Sequence, residues 1–240
     1  MTALVLVHAF PLDGSMWTRQ VETMRDAADA VLAPSLPGFG GTSLPREQPS
    51  LDDYADVVVA AMDAAKIQRA AIAGLSMGGY VAFALWRRHR ARVARLFLAD
   101  TRAEADTDEA RERRYRVAEL VRKGGVDAML KTPPAWLRER SPHWDALKAT
   151  IRRHPAEAVA QASIAMGHRP DSRPDLPSID VPTAIVVGEA DTLTTLEMAT
   201  VMHAQIPGAT LTVIPDAGHI ANIEAPEAFD AALRAWLRRE

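Results

Sequence analysis

Apolar residues gather in six short runs, at positions 3–7, 30–33, 70–73, 93–99, 183–187 and 210–214. Each has the length of a buried strand and is too short for a helix. Longer segments with helical spacing separate most of them. This alternation predicts an α/β fold, a mostly parallel sheet of about six strands with helices on both faces. The last segment is the clearest helix. Pro226 suits its first turn, and Phe229, Leu233, Trp236 and Leu237 make one apolar stripe for packing on the core.

The alternation stops between residues 101 and 179. That span has no convincing strand and reads as several helices punctuated by Gly124-Gly125, Pro133-Pro134, Ser141-Pro142 and His154-Pro155. It holds 15 Lys+Arg against 12 Asp+Glu, whereas the rest of the chain holds 13 against 19. The expected organisation is a core of residues 1–100 and 180–240 with a helical insertion at 101–179 over one end of the sheet. Its arginines read as solvated helix faces, with a substrate-carboxylate role open for one of them.

The composition narrows the possibilities. With 240 residues and 48% hydrophobic content the chain can bury a sizeable core. It has no cysteine, which removes disulfides and thiolate metal sites. A formal charge of −3 without long runs of one sign disfavours nucleic acid and anionic membrane as partners. No apolar stretch reaches the roughly 18 residues of a membrane span. Met1-Thr2-Ala3 leads directly into the first apolar run, which is too short for a signal segment, so a cytoplasmic protein is expected. Nothing in the chain indicates an oligomeric state.

The chemistry centres on Gly74-Leu75-Ser76-Met77-Gly78-Gly79, which joins an apolar strand to the helical segment 80–86. A serine held at a sharp strand-to-helix turn is a nucleophile elbow. Its backbone is expected to be strained, and side chains at 74 and 78 would collide across the turn. Of seven histidines, five sit in helical or polar contexts. His8 reads as a loop-shaping residue. His219 follows the last strand, where parallel sheets place their sites, and is the candidate base. Asp191, in the turn after the fifth strand, is the candidate acid. Asp100 also follows a strand and is its rival, with capping of the next helix as its simpler role. The backbone amides of Phe10 and Met77 are the candidate oxyanion donors; Pro11 has no N–H to offer. Met129, Trp136, Trp144 and Met166 are candidates to line a substrate pocket. The set needs no cofactor or metal. No histidine pair has zinc spacing, and the Gly38–Ser43 loop lacks the lysine of a phosphate-binding loop.

Leu6-Val7-His8, the run from Pro37 to Ser43, the Gly74–Gly79 elbow, the run from Gly188 to Asp191, and Gly218-His219 come in an order that resembles the α/β-hydrolase superfamily. The likeness is closest to small capped esterases and the 3-oxoadipate enol-lactonase-like branch. It implies Ser76 as nucleophile, Asp191 as acid, His219 as base, and the insertion as the family's cap. It also implies strand order 2-1-3-4-5-6 and a small-molecule ester or lactone as substrate. The alternatives are an enol-lactone or C–C bond hydrolase, or a ligand-binding receptor on the same fold. Two departures stand out: His8-Ala9 replaces the usual His-Gly, and the first strand matches the family's third.

Overall fold

In a computed structural model, which describes residues 2–239, the expected sheet is present. Its strands are β1 (Ala3–Val7), β2 (Val31–Leu32), β3 (Ala70–Leu75), β4 (Val93–Ala99), β5 (Thr183–Gly188) and β6 (Thr210–Ile214). All neighbours pair in parallel, in the order β2-β1-β3-β4-β5-β6. The four central strands are almost wholly buried, as continuous apolar runs require. The two outer ones differ from the sequence reading. β2 shrinks to two half-buried residues and β6 leaves Thr212 and Val213 exposed, because each pairs on one side only.

The helices are α1 (Thr18–Thr23), α2 (Leu51–Ala64), α3 (Met77–His89), α4 (Asp108–Leu130), α5 (Trp144–Arg152), α6 (Ala156–Gly167), α7 (Leu196–Gln205), α8 (Ala221–Glu224) and α9 (Pro226–Leu237). Right-handed crossovers put α2 and α3 on one face of the sheet and α1 and α9 on the other. Local chemistry sets several boundaries. Ser50 and Asp53 form a reciprocal capping box that starts α2, and Thr107 caps α4. Gly125, with φ 69°, kinks α4 where the glycine pair suggested a break. On the α9 face, Phe97 of β4 meets Phe229 and Trp236, and Trp17 closes on Phe229 at 5.9 Å. Leu237, the fourth member of the predicted stripe, is only half-buried.

Residues 101–179 contribute no strand to the sheet. Their helices α4 and α6 pack on each other, and the segment touches the loops at the strands' C-terminal edge. Gln48 Nε2 donates to the Gln161 carbonyl (2.9 Å), Arg153 pairs with Asp13 (3.2 Å), and the Ile220 N–H donates to the Trp136 carbonyl (3.0 Å). The segment leaves and re-enters the core at one place, where the Ser172 N–H donates to the Ala103 carbonyl at 2.8 Å. Among the described residues no helix is long and apolar enough to cross a membrane.

The aromatic cluster generates a stability prediction. Phe229 is fully buried between Trp17 and Phe97, so Phe229→Ala should lower the unfolding free energy by about 3–5 kcal/mol in a denaturant titration.

Candidate active site

The register aligns Val7 with Gly74, Leu75 with Ala99, Ala99 with Val186 and Gly188 with Ile214. The strands β1 and β3 to β6 therefore end along one edge, and the loop residues that follow them converge. Ser76 stands between β3 and α3 with φ 56° and ψ −113°, a left-handed backbone that a non-glycine residue adopts only when its surroundings hold it there. Its N–H donates to the Ala99 carbonyl (2.9 Å), and its carbonyl accepts from the Thr101 hydroxyl (2.8 Å). The two flanking glycines have different reasons. A Cβ on Gly74 would lie 2.2 Å from the Gly78 carbonyl oxygen, the collision across the turn that the sequence implied. A Cβ on Gly78 would instead lie 2.1 Å from the Val7 carbonyl oxygen, so this glycine is needed for the approach of β1.

His219 bridges the serine and the acid. Its Nε2 lies 2.8 Å from Ser76 Oγ, and its Nδ1 lies 2.9 Å from Asp191 Oδ2. An ionised carboxylate only accepts, so Nδ1 carries the proton and Nε2 is free to accept from the serine hydroxyl. Asp191 is well supplied with donors. The N–H groups of Leu193 (2.8 Å) and Thr194 (3.0 Å) reach Oδ1, and the Thr194 hydroxyl donates to Oδ2 (2.5 Å). Burial alone would raise the Asp191 pKa, but the hydrogen bonds and charge interaction with His219, with Thr194 assisting, bring it below the usual aspartate value. Thr194 is a residue the sequence reading missed. Its hydroxyl lies 3.1 Å from His219 Nδ1 as well, and only its place three residues after Asp191 hinted at this.

Asp100 is not the imidazole's partner, and it does not cap α4, whose cap is Thr107. Its Oδ1 accepts from the Gly188 N–H at 2.7 Å, and Oδ2 faces the Ala221 N–H at 3.4 Å. His8 shapes a loop, as expected. Its Nδ1–H donates to the Ala9 carbonyl (3.0 Å) and its Nε2 accepts from the Leu36 N–H (2.9 Å). Complete burial lowers its pKa to about 4, which keeps the ring neutral. The backbone N–H groups of Phe10 and Met77 donate to no acceptor among the described residues. Met77 opens α3, so its N–H precedes the intrahelical ladder.

A cavity of about 480 Å³ opens on Ser76 and His219, a size suited to a small molecule. Met129, Trp136 and Met166 line it, as the sequence suggested. Trp144 does not. Its indole N–H donates to the Arg138 carbonyl (2.9 Å), which turns it to bracing the 136–138 stretch. The wall also carries Tyr80, Asp106 and three of the insertion's arginines, Arg102, Arg113 and Arg114, among which the sequence left a carboxylate-binding role open. Asp106, wholly buried, serves three guanidiniums: Arg102 at 2.5 Å, Arg114 at 3.0 Å and Arg169 at 2.8 Å. Burial opposes its ionisation, yet Arg114 and Arg169 lower its pKa.

Residues 4–232 match the alpha/beta hydrolase family across nearly the whole chain. The chain belongs to this family. This alpha/beta hydrolase is 30% identical to 3-oxoadipate enol-lactonase 1 of Acinetobacter baylyi, over 95% of its own length and 85% of the relative's. Among solved structures it resembles a thermophilic esterase from Thermogutta terrifontis (TM-score 0.93, 38% identity, 99% of this chain and 90% of that one). It also resembles the enol-lactonase from Burkholderia xenovorans (TM-score 0.90, 30% identity, 99% and 92%).

The elbow's geometry is testable without an assay. Gly74→Ala drives a Cβ into backbone atoms on the far side of the turn, so the hydrolase should lose more than about 4 kcal/mol of stability or fail to fold. Calorimetry or urea unfolding of the purified variant measures this.

Proposed function

We propose that this alpha/beta hydrolase cleaves carboxylic esters of small molecules through an acyl-enzyme on Ser76. The observation that carries the reading is the continuous relay from Ser76 Oγ to His219 Nε2 (2.8 Å) and from His219 Nδ1 to Asp191 Oδ2 (2.9 Å), opening into the cavity. In this reading Ser76 Oγ attacks the ester carbonyl while His219 Nε2 takes the hydroxyl proton. The N–H groups of Phe10 and Met77 receive the developing oxyanion, for which they have no competing partner. His219 then returns the proton to the leaving alcohol. Water, deprotonated by the same nitrogen, attacks the acyl-enzyme and releases the acid and the serine. Asp191 keeps the imidazole in the required tautomer and stabilises the imidazolium. Residues 101–179 act as a cap that shapes the acyl or alcohol pocket through Met129, Trp136 and Met166.

A specific observation favours a second reading, an enol-lactone or similar substrate that bears a carboxylate. Arg102, Arg113 and Arg114 line the cavity, whereas Asp106 is the lining's single carboxylate and also serves Arg169. Arg113 makes no hydrogen bond or ion pair among the described residues; the nearby Glu109 carboxylate is fully exposed. The wall thus holds surplus positive charge that a substrate carboxylate would neutralise. Enol-lactonases stand among the relatives, and the Thermogutta esterase was solved with malate bound.

Two measurements test these readings. On an activated neutral ester at about pH 8, Ser76→Ala and Asp191→Asn should each lower turnover by about 10⁴-fold while the fold is kept. A Ser76→Ala enzyme retaining a tenth of the activity would remove the serine as nucleophile. For the second reading, kcat/KM is compared for a neutral ester and the same ester carrying a terminal carboxylate. Arg113→Gln should reduce the carboxylate substrate's value about tenfold or more and the neutral one's far less. An equal effect on both would assign Arg113 to folding alone.

A further inference from the structure

Asp100 is a buried acid to which the relay gives no part. It is fully buried at the end of β4, with φ 43°, in the left-handed region that aspartate enters more readily than most side chains. Its carboxyl touches both loops that carry the other two polar members of the relay. Through Gly188 it meets the turn that ends three residues later in Asp191. Through Ala221 it meets the backbone two residues beyond His219. These loops already lie close: a Cβ on Gly188 would fall 2.2 Å from the Gly218 carbonyl oxygen, and the Ala190 N–H donates to the Ala217 carbonyl at 2.8 Å. Asp100 is the side chain that reaches both from a third strand.

We propose that Asp100 is a positioning residue for the Asp191–His219 pair, acting as an uncharged carboxylic acid that ties the β5 turn to the start of α8. The inference rests on the serine-hydrolase reading above.

The charge state follows from what surrounds it. The β5 turn brings Asp191, which must stay ionised to hold the imidazolium. The α8 side brings Glu224, whose carboxylate is buried and accepts from the Gly218 N–H at 2.7 Å. From β3 the residue beyond the Leu75–Ala99 pair is Ser76, which is uncharged. Complete burial first, and then the Asp191 charge, push the Asp100 pKa well above the usual value despite the two N–H groups. Two acids one loop apart are thus driven to opposite states: hydrogen bonds and the imidazole keep Asp191 ionised, and burial keeps Asp100 protonated. An uncharged acid can hold the Gly188 N–H without placing a second negative charge beside Asp191, where it would compete for the imidazolium's position.

The sign of the pH dependence follows. The unfolded chain releases this proton near the ordinary aspartate value of about 4, whereas the folded protein retains it. The stability due to that proton is therefore complete below about pH 4 and is lost as pH rises toward the folded value.

The test uses Asp100→Asn, Asp100→Ala and Asp100→Ser with wild type, and Ser76→Ala as a control, all as the full chain. Unfolding midpoints are measured from about pH 4 to pH 9. Wild type should lose stability relative to Asp100→Asn as pH rises through this window, because the amide has no proton to release. A difference that stays flat would overturn the uncharged state. On a neutral activated ester, folded Asp100→Ala should lose about a hundredfold in kcat with KM little changed, the cost of a relay out of register. Asp100→Asn should recover most of that loss. Asp100→Ser, too short to reach both amides, stands in if the alanine variant does not fold. Folded Ala or Ser variants with wild-type kcat would overturn the positioning role, and so would an Asn variant as slow as they are. If Ser76→Ala keeps its turnover, the serine reading fails and the positioning role fails with it, while the unfolding titration still decides the state of the Asp100 proton.

Discussion

The backbone of Ser76 is the constraint on which the rest of this hydrolase depends. A residue at φ 56° between a strand and a helix is unfavourable by itself, of order 1–3 kcal/mol, and persists only where neighbours fix it from several sides. Here Ala99 holds its N–H, Thr101 holds its carbonyl, and the Gly74 and Gly78 backbones close round the turn. The approach of Gly78 to Val7 has a second effect. It draws the end of β1 against the N-terminus of α3. One tight turn therefore orients a hydroxyl and fixes where the first strand meets the helix.

Acidity is divided along the same edge. Asp191, Asp100 and Glu224 lie within one cluster of loops, and each has a different set of neighbours. Asp191 has three donors and an imidazole; Glu224 takes the Gly218 and Arg138 N–H groups; Asp100 has two amides. The cavity wall uses the reverse arrangement, with one buried carboxylate and several guanidiniums. Carboxyl groups thus gather on the loops of the relay, and guanidiniums on the cavity wall.

Much of this was legible in the residue order. Continuous apolar runs marked all six strands, and the position after each strand end marked Ser76, Asp191 and His219, because a parallel sheet gathers its loops at one edge. The edge strands were overestimated, since an apolar run does not tell whether it has one neighbour or two. Trp144 was misplaced because a large aromatic in a helical segment has no sign in the sequence for which side it faces; its indole N–H found a carbonyl instead of the cavity. Thr194 and Thr101 escaped notice because their importance lies in long-range contacts, and the sequence left open which of the insertion's arginines would face the cavity. Asp100 was seen as a rival acid, but its distance from the imidazole and its amide partners exist only in three dimensions.

The junction between Ala103 and Ser172 has a consequence for the architecture. The β4-to-β5 crossover is one of the longest in the chain, and closing a long loop costs entropy that grows only with the logarithm of its length. The Ser172 N–H to Ala103 carbonyl bond, with Arg169 reaching the Glu104 carbonyl beside it, pinches that loop shut at its neck. To the sheet, the connection from β4 to β5 is then short, whatever lies beyond the neck. Helices can lengthen, shorten or be replaced there with little change in the register of the strands beneath.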